Sequence, residues 1–344
     1  MSAPSRRGTT APAASIGAPE TEARDGAPST APSVASTAPG GSSGRSPSGV
    51  DAVSGPADDL RPFVEQFVRD FLADLANNNL GPGTTLEAWG DFLLGYSSGA
   101  DDMYPDLKDH IGPFHWTPAE AFALGAGADP AAQPDDFTVI SWALCHTETT
   151  KAANREETFF PAESWARARI FGQAVNRALH LGLVEALAAR GYPAVAPGQL
   201  PEAGARASAA RGRASTWSER HVAHISGLGT FGLAGGLITK RGQAVIFGSV
   251  VVRATIPPTP RPYDGPFAYC LFLTRGTCGV CADRCPATSV TRAGRDKEAC
   301  AGHLWPATAD YVRREFGFDG YGCGLCQTGV PCESSIPKPL RRRD

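Results

Sequence analysis

The stretch Cys278-Gly-Val-Cys281-Ala-Asp-Arg-Cys285-Pro286 reads C-x2-C-x3-C-P, and its meaning decides what the rest of the chain must be built to do. The chain has nine cysteines, and eight of them lie between Cys270 and Cys332; Cys145 stands apart. So dense a group suits either a secreted disulfide scaffold or a metal site. No secretory segment is expected: Arg6-Arg7 is followed by the small, polar run GTTAPAASIGAPETEARDG instead of an apolar h-region. The expected compartment is therefore the reducing cytoplasm, where clustered cysteines hold metal.

The spacing narrows the metal. C-x2-C-x3-C-P is the latter part of the bacterial ferredoxin run C-x2-C-x2-C-x3-C-P. Cys270, ahead of Cys278, can supply the ligand missing from that run, and a second group follows at Cys300, Cys323-Gly-Leu-Cys326 and Cys332. Each iron of a cubane takes one soft thiolate, and in two-cluster ferredoxins the cysteine before the proline crosses to the other cluster. The pattern thus assigns Cys270, Cys278, Cys281 and Cys332 to one [4Fe-4S] cluster, and Cys285, Cys300, Cys323 and Cys326 to the other. Two four-thiolate zinc sites are the alternative, since C-x2-C pairs also build those, and disulfides or free thiols are a further one. Cys145 reads as a small buried apolar residue.

Outward from the cysteines, residues 1–57 are almost wholly Ala, Pro, Ser, Gly and Thr, and read as a disordered tail. The chain has 344 residues and a formal net charge of −3, so no whole-protein field recruits nucleic acid. The basic end, 338–344, reads as a solvated tail, with a weak RNA contact as its alternative. No apolar run approaches the roughly 18 residues of a membrane span.

Between the tails, Phe63, Phe67, Phe71 and Leu75 recur every four residues and predict a helix packed on a core. Residues 80–136 carry no clear period. FTVISWAL, Phe137 to Leu144, predicts a buried strand. Pro161 opens a long helix with Phe171, Val175, Leu179, Leu183 and Leu187 on one face, stopping at Gly191, and YPAVAP (192–197) predicts a further strand. Strand, helix, strand is a βαβ signature, so an α/β layer architecture is expected over 58–262, with the two-cluster domain over 263–337. Within the first part, GLGTFG at Gly227, Gly229 and Gly232 matches the dinucleotide fingerprint but fails its context. A helix, entered at Ser215 or Thr216, is predicted before it, and two strands broken at Lys240-Arg241-Gly242 after it.

The chain at this point resembles epoxyqueuosine reductase and its relatives, which include the reductive dehalogenases. The resemblance covers about 137–337 and rests on SERHVAHISGLGTFGLAGGLITKRGQAVIFGSVV, YCLFLTRGTCGVCADRCPA and YGCGLCQTGVPCE. It implies a nitroreductase-like α/β domain followed by a ferredoxin-like dicluster domain, and an iron–sulfur reductase that passes electrons from a donor such as ferredoxin or flavodoxin to a bound corrinoid (cobalamin) or other acceptor. It also implies that Gly227, Gly229 and Gly232 let backbone approach a large flat cofactor. His224, in an H-x-x-G without the preceding Asp, reads as a structural or surface residue and not a cobalt ligand. The family's tRNA enzyme has an aspartate ahead of the glycines as its proposed proton donor; here ARASAARGRASTW (205–217) holds no acid. A tRNA substrate is therefore not favoured, and the candidate proton donors become Glu219 and His221, for which the polar first turn of a helix is the plainer reading. Five residues, QTGVP, separate Cys326 from Cys332, where the tRNA enzyme has three. The rival functions are a non-catalytic electron-transfer module and a zinc-stabilised binding protein.

Overall fold

The computed structural model of the chain describes residues 60–341. The tail expected over 1–57 and the last three residues of the basic end lie outside them. In chain order the elements are α1 (Leu60–Ala73), β1 (Trp89–Ser98), α2 (Met103–His110), α3 (Pro118–Ala126), β2 (Phe137–His146), α4 (Glu148–Glu156), α5 (Glu163–Arg167), α6 (Gln173–Ala188), β3 (Ala194–Val195), β4 (Ala205–Ser208), β5 (Gly212–Ser215), α7 (Glu219–Ile225), β6 (Gly229–Phe231), β7 (Leu237–Thr239) and β8 (Val245–Arg253). Beyond them come α8 (Leu271–Arg275), α9 (Val280–Asp283), β9 (Val290–Thr291), β10 (Gly294–Arg295), α10 (Lys297–Gly302) and α11 (Ala309–Phe316).

All ten residues of β2 are buried because the strand is covered on every side. The main sheet runs β1-β2-β8-β3, so β2 has a partner at each edge. Ile140, Trp142 and Leu144 pack toward α1 and α6; Phe137 and Val139 pack toward α2, α3 and α7. The result is a mixed α/β architecture of three layers. α6 buries Val175, Leu179, Leu183 and Leu187, as the four-residue spacing predicts, but the long helix expected from Pro161 begins as α5 at Glu163 and passes through a π turn over 168–172 that leaves Phe171 half-buried; Gly191 follows α6 in the left-handed region at φ +83°. β3 then runs in the direction of β2 but not beside it. β8 lies between them, antiparallel to both.

Two further expectations about helices are corrected. In α1 the fully buried stripe is Leu60, Val64 and Val68; Phe63, Phe67 and Phe71 flank it half-buried, and Leu75, beyond the helix, is 51% exposed. Stripes one residue apart lie about 100° apart on a helix, so both spacings fit, and packing depth decides between them. Each fully buried Leu or Val of this kind contributes about 1.5–3 kcal/mol. α7 begins not at Ser215 or Thr216 but after Ser218, whose side chain accepts the N–H of His221. Ser215 is spent in β5. The unassigned region 80–136 supplies β1, α2 and α3; α3 starts at a capping box in which Thr117 and Glu120 bond each other's backbone N–H.

The two strands predicted around Lys240-Arg241-Gly242 are present, but each goes elsewhere: β7 pairs with β6, and β8 joins the main sheet. Gly242 has φ +82°, and a Cβ there would stand 2.0 Å from the carbonyl oxygen of Glu333. Its bareness lets the cysteine-bearing segment close on the turn. Gln243 N then donates to Cys332 O at 2.8 Å, and Ala244 N to Glu333 O at 3.1 Å. Among the described residues no helix is long and apolar enough to cross a membrane.

Candidate functional site: two cysteine-lined cavities

The eight clustered cysteines surround two cavities in the two groups that their spacing suggests. Cys270, Cys278, Cys281 and Cys332 line a small cavity of about 20 Å³ whose other walls include Leu233, Ala234, Ile238 and Phe272. Cys285, Cys300, Cys323 and Cys326 line a larger one of about 180 Å³. Local backbone explains how short loops achieve this. Cys278 and Gly279 both have positive φ, which swings the C-x2-C turn around one point, and Cys270 immediately precedes α8. Gln243 ties the sets together: its Nε2 donates to Cys326 O at 3.0 Å while its backbone N holds Cys332. Asn154 of α4 holds the other loop, donating to Cys323 O at 3.1 Å.

Burial and mutual proximity shift the thiols. Burial, then the neighbouring Cys326, Cys270 and Cys278, pushes the Cys281 thiol up to about 12. Burial, then Cys326, does the same to Cys323, again to about 12. Thiols grouped this closely raise one another's pKa, because a second negative charge beside the first is disfavoured. Cys285 is the exception: burial works to raise it, but the Ser289 hydroxyl and the backbone of Val290, Ser289 and Ala287 draw it below the ordinary thiol value. Arg295 stands between the sets, donating to Cys300 Sγ at 2.7 Å and to Ala234 O at 3.1 Å. Cys145, buried in β2, lies apart from both sets, and burial pushes its thiol to about 12.

The structure separates the candidate proton donors. Glu219 lines the second cysteine cavity and accepts from Ser249 Oγ at 2.6 Å; its other oxygen lies 3.8 Å from His180 Nε2. His221 lines a different cleft of about 650 Å³ beside Met103, Phe231 and Tyr263. Its Nδ1 meets Ser218 Oγ, its buried Nε2 has no partner, and burial holds its pKa well below 6.5. Two residues apart on α7, the side chains face different ways. His224 is structural and buried, not on the surface: its Nδ1 meets Gly229 O at 2.7 Å.

Gly227 and Gly229 line neither cysteine cavity. A Cβ at Gly229 would stand 2.3 Å from Ile238 O, and one at Gly227 2.9 Å from Pro260 O. The close approach that they permit is to the chain's own backbone. Gly232 lines the first cysteine cavity.

No protein-family profile matches the chain. Over 124 residues it is 33% identical to epoxyqueuosine reductase of Staphylococcus aureus, a match covering 35% of this chain and 30% of that enzyme. The chain is similar to epoxyqueuosine reductase. Among solved structures, a selenomethionine-labelled epoxyqueuosine reductase has a TM-score of 0.43 at 14% identity, over 84% of this chain and 70% of that one. The Bacillus subtilis epoxyqueuosine reductase has a TM-score of 0.43 at 16% identity, over 83% and 68%. A catabolic reductive dehalogenase has a TM-score of 0.39 at 13% identity, over 83% and 38%. The resemblance read from the three sequence blocks thus stands, while the chain matches under a third of the curated epoxyqueuosine reductase's length.

The motifs did not disclose the rest of the second cavity. His146 at the end of β2, Trp165, Arg169, Gln173 and His303 all line it. His146 is stacked on Trp165 at 4.0 Å, and burial pushes its pKa down to about 3. A histidine closing an apolar strand is the signal that could have found it.

Proposed function

We propose that the chain is an iron–sulfur reductase in which the two cysteine sets each hold a [4Fe-4S] cluster, within a ferredoxin-like segment over 263–337. The observation that carries this is the sorting of eight thiols into two sets of four around neighbouring cavities. The donors fit the group: all are sulfur, and hydrogen-bond donors reach Cys285 and Cys300. Among the described residues, no three His, Cys, Asp or Glu side chains converge tightly enough for one metal ion. A zinc site needs that convergence; a cage of four irons with one thiolate each does not.

When bound, such clusters store and pass single electrons. The chain's own part is to hold, shield and protonate. Leu233, Ile238 and Phe272 keep water from the first set, while exposed Cys278 brings that set to the surface, where a donor such as ferredoxin or flavodoxin would dock. Glu219, which lines the second cavity with its carboxylate held by Ser249, is the chain's candidate proton carrier there. The glycines do not fit a corrinoid cradle, since Gly227 and Gly229 are filled against the chain itself, and no step is assigned to that cofactor.

The test is anaerobic purification of the full chain with iron, sulfide, zinc and cobalt analysis. About eight irons and eight sulfides per chain are expected. Zinc without acid-labile sulfide would overturn the reading, and stoichiometric cobalt would restore the corrinoid.

A further inference from the structure

We propose that Arg295, assisted by Ser289, raises the reduction potential of the cluster held by Cys285, Cys300, Cys323 and Cys326, making it a better electron acceptor than its four thiolates alone would make it. The inference rests on the cluster reading and deepens it by naming the side chains that regulate the second cluster.

One hairpin delivers both side chains. After Cys285-Pro286 the chain forms β9 and β10, with Arg295 paired to Val290. Gly294, at the start of β10, has φ +127°, a conformation that a side chain would disfavour. At the hairpin's base Asp296 N donates to Ser289 O at 2.7 Å. The Asp296 side chain then accepts the N–H of Ala299 and caps α10, which carries Cys300. Arg295 is thereby set against one sulfur and Ser289 against another: Arg295 Nη2 donates to Cys300 Sγ at 2.7 Å, and Ser289 Oγ lies 3.2 Å from Cys285 Sγ. Arg295 Nη1 donates to Ala234 O at 3.1 Å, which fixes the plane of the guanidinium.

Charge decides what these contacts do. Four thiolates make a bound cage negative, and reduction adds one more negative charge to it. A fixed cation touching one of the sulfurs therefore stabilises the reduced cage more than the oxidised one, and hydrogen bonds to the sulfurs act in the same direction. The guanidinium keeps its charge: burial works against it, but Cys326, Cys300 and Cys285 outweigh burial and raise its pKa. Backbone hydrogen bonds reach sulfurs of both sets, at Cys281 and Cys332 in the first and at Cys323 and Cys326 in the second, so they do not tell the sets apart. The side-chain cation does. Glu219, Arg169 and Arg220 also line the second cavity, and the Glu219 carboxylate opposes Arg295. All three stay in place when residue 295 alone is changed, so a variant there isolates the effect of this one guanidinium.

The experiment compares the wild type with Arg295→Gln, Arg295→Lys and Ser289→Ala, each as the anaerobically reconstituted full chain with its iron and sulfide measured first. Dithionite is titrated in against redox mediators, and EPR reads the reduced fraction of each cluster at each potential. In Arg295→Gln one cluster should become harder to reduce and the other should stay as it is. At a given potential the ratio of reduced to oxidised form at the affected cluster should fall about tenfold, a shift of about 59 mV for one electron. Arg295→Lys, which keeps the charge, should recover part of that loss, and Ser289→Ala should give a smaller fall at the same cluster. Arg295→Gln with full iron and both potentials unmoved would overturn the inference. If Arg295→Gln does not retain its iron, the other two variants carry the test, and both reducing as the wild type does would overturn it. A wild-type preparation without iron would instead overturn the cluster reading and this inference with it.

Discussion

His115 shows how a buried ring contributes to the acid behaviour of the fold. Its Nε2 accepts the Ser218 N–H at 3.1 Å, and the ring stacks on Trp217. Burial is the largest influence and lowers its pKa from 6.5 to about 4. Between those values the unfolded chain takes up a proton that the folded chain refuses. Stability should therefore be flat with respect to this ring above about pH 6.5 and fall as pH drops from 6.5 to 4, by up to ~1.4 kcal/mol per pH unit. Urea unfolding across pH 4–7.5 should show a shallower acid limb for His115→Gln than for wild type; equal limbs would contradict it. No pattern in the sequence marks His115, because a histidine's burial depends on what folds over it.

At the scale of elements, the glycine string is explained by the β6–β7 pairing. Gly229 lies opposite Thr239 in that hairpin, with Ile238 O where its Cβ would be. Gly229→Ala should cost about 1–3 kcal/mol in chemical unfolding while leaving iron and sulfide content unchanged. Loss of metal at unchanged stability would return the glycine to a cofactor role. Periodicity made β2 and the long helix legible, since burial on both faces leaves a continuous apolar run and burial on one leaves a four-residue stripe. It failed for α1, where two adjacent stripes are both apolar, and for β1, whose exposed and half-buried positions break the alternation.

At the scale of the molecule, the cysteine segment is fastened to the α/β part by α4. Arg155 forks onto Glu333, with Nε 3.0 Å from both carboxylate oxygens, and Gly329 N donates to the same carboxylate at 2.6 Å. Burial works to raise the Glu333 pKa, but Arg155 and the Gly329 N–H outweigh it and hold it below the usual carboxylate value. Glu333→Gln should lower stability by about 1–3 kcal/mol. Hydrogen exchange should quicken over residues 323–336 and stay slow in β2. Uniform quickening would mean that the bridge braces the whole fold and not this segment.

The sequence by itself determined which thiols come together, because cysteines on short loops sit at short, regular intervals, and C-x2-C-x3-C-P displays them in a line. It also determined the central strand and the helix beside it. Only the tertiary structure decided that β8 separates β2 from β3, that Glu219 and His221 face different cavities, and that His146, Arg169 and His303 meet at the second cysteine set. Those residues come from distant parts of the chain, and their meeting depends on which surfaces pack together, a property that no local pattern encodes.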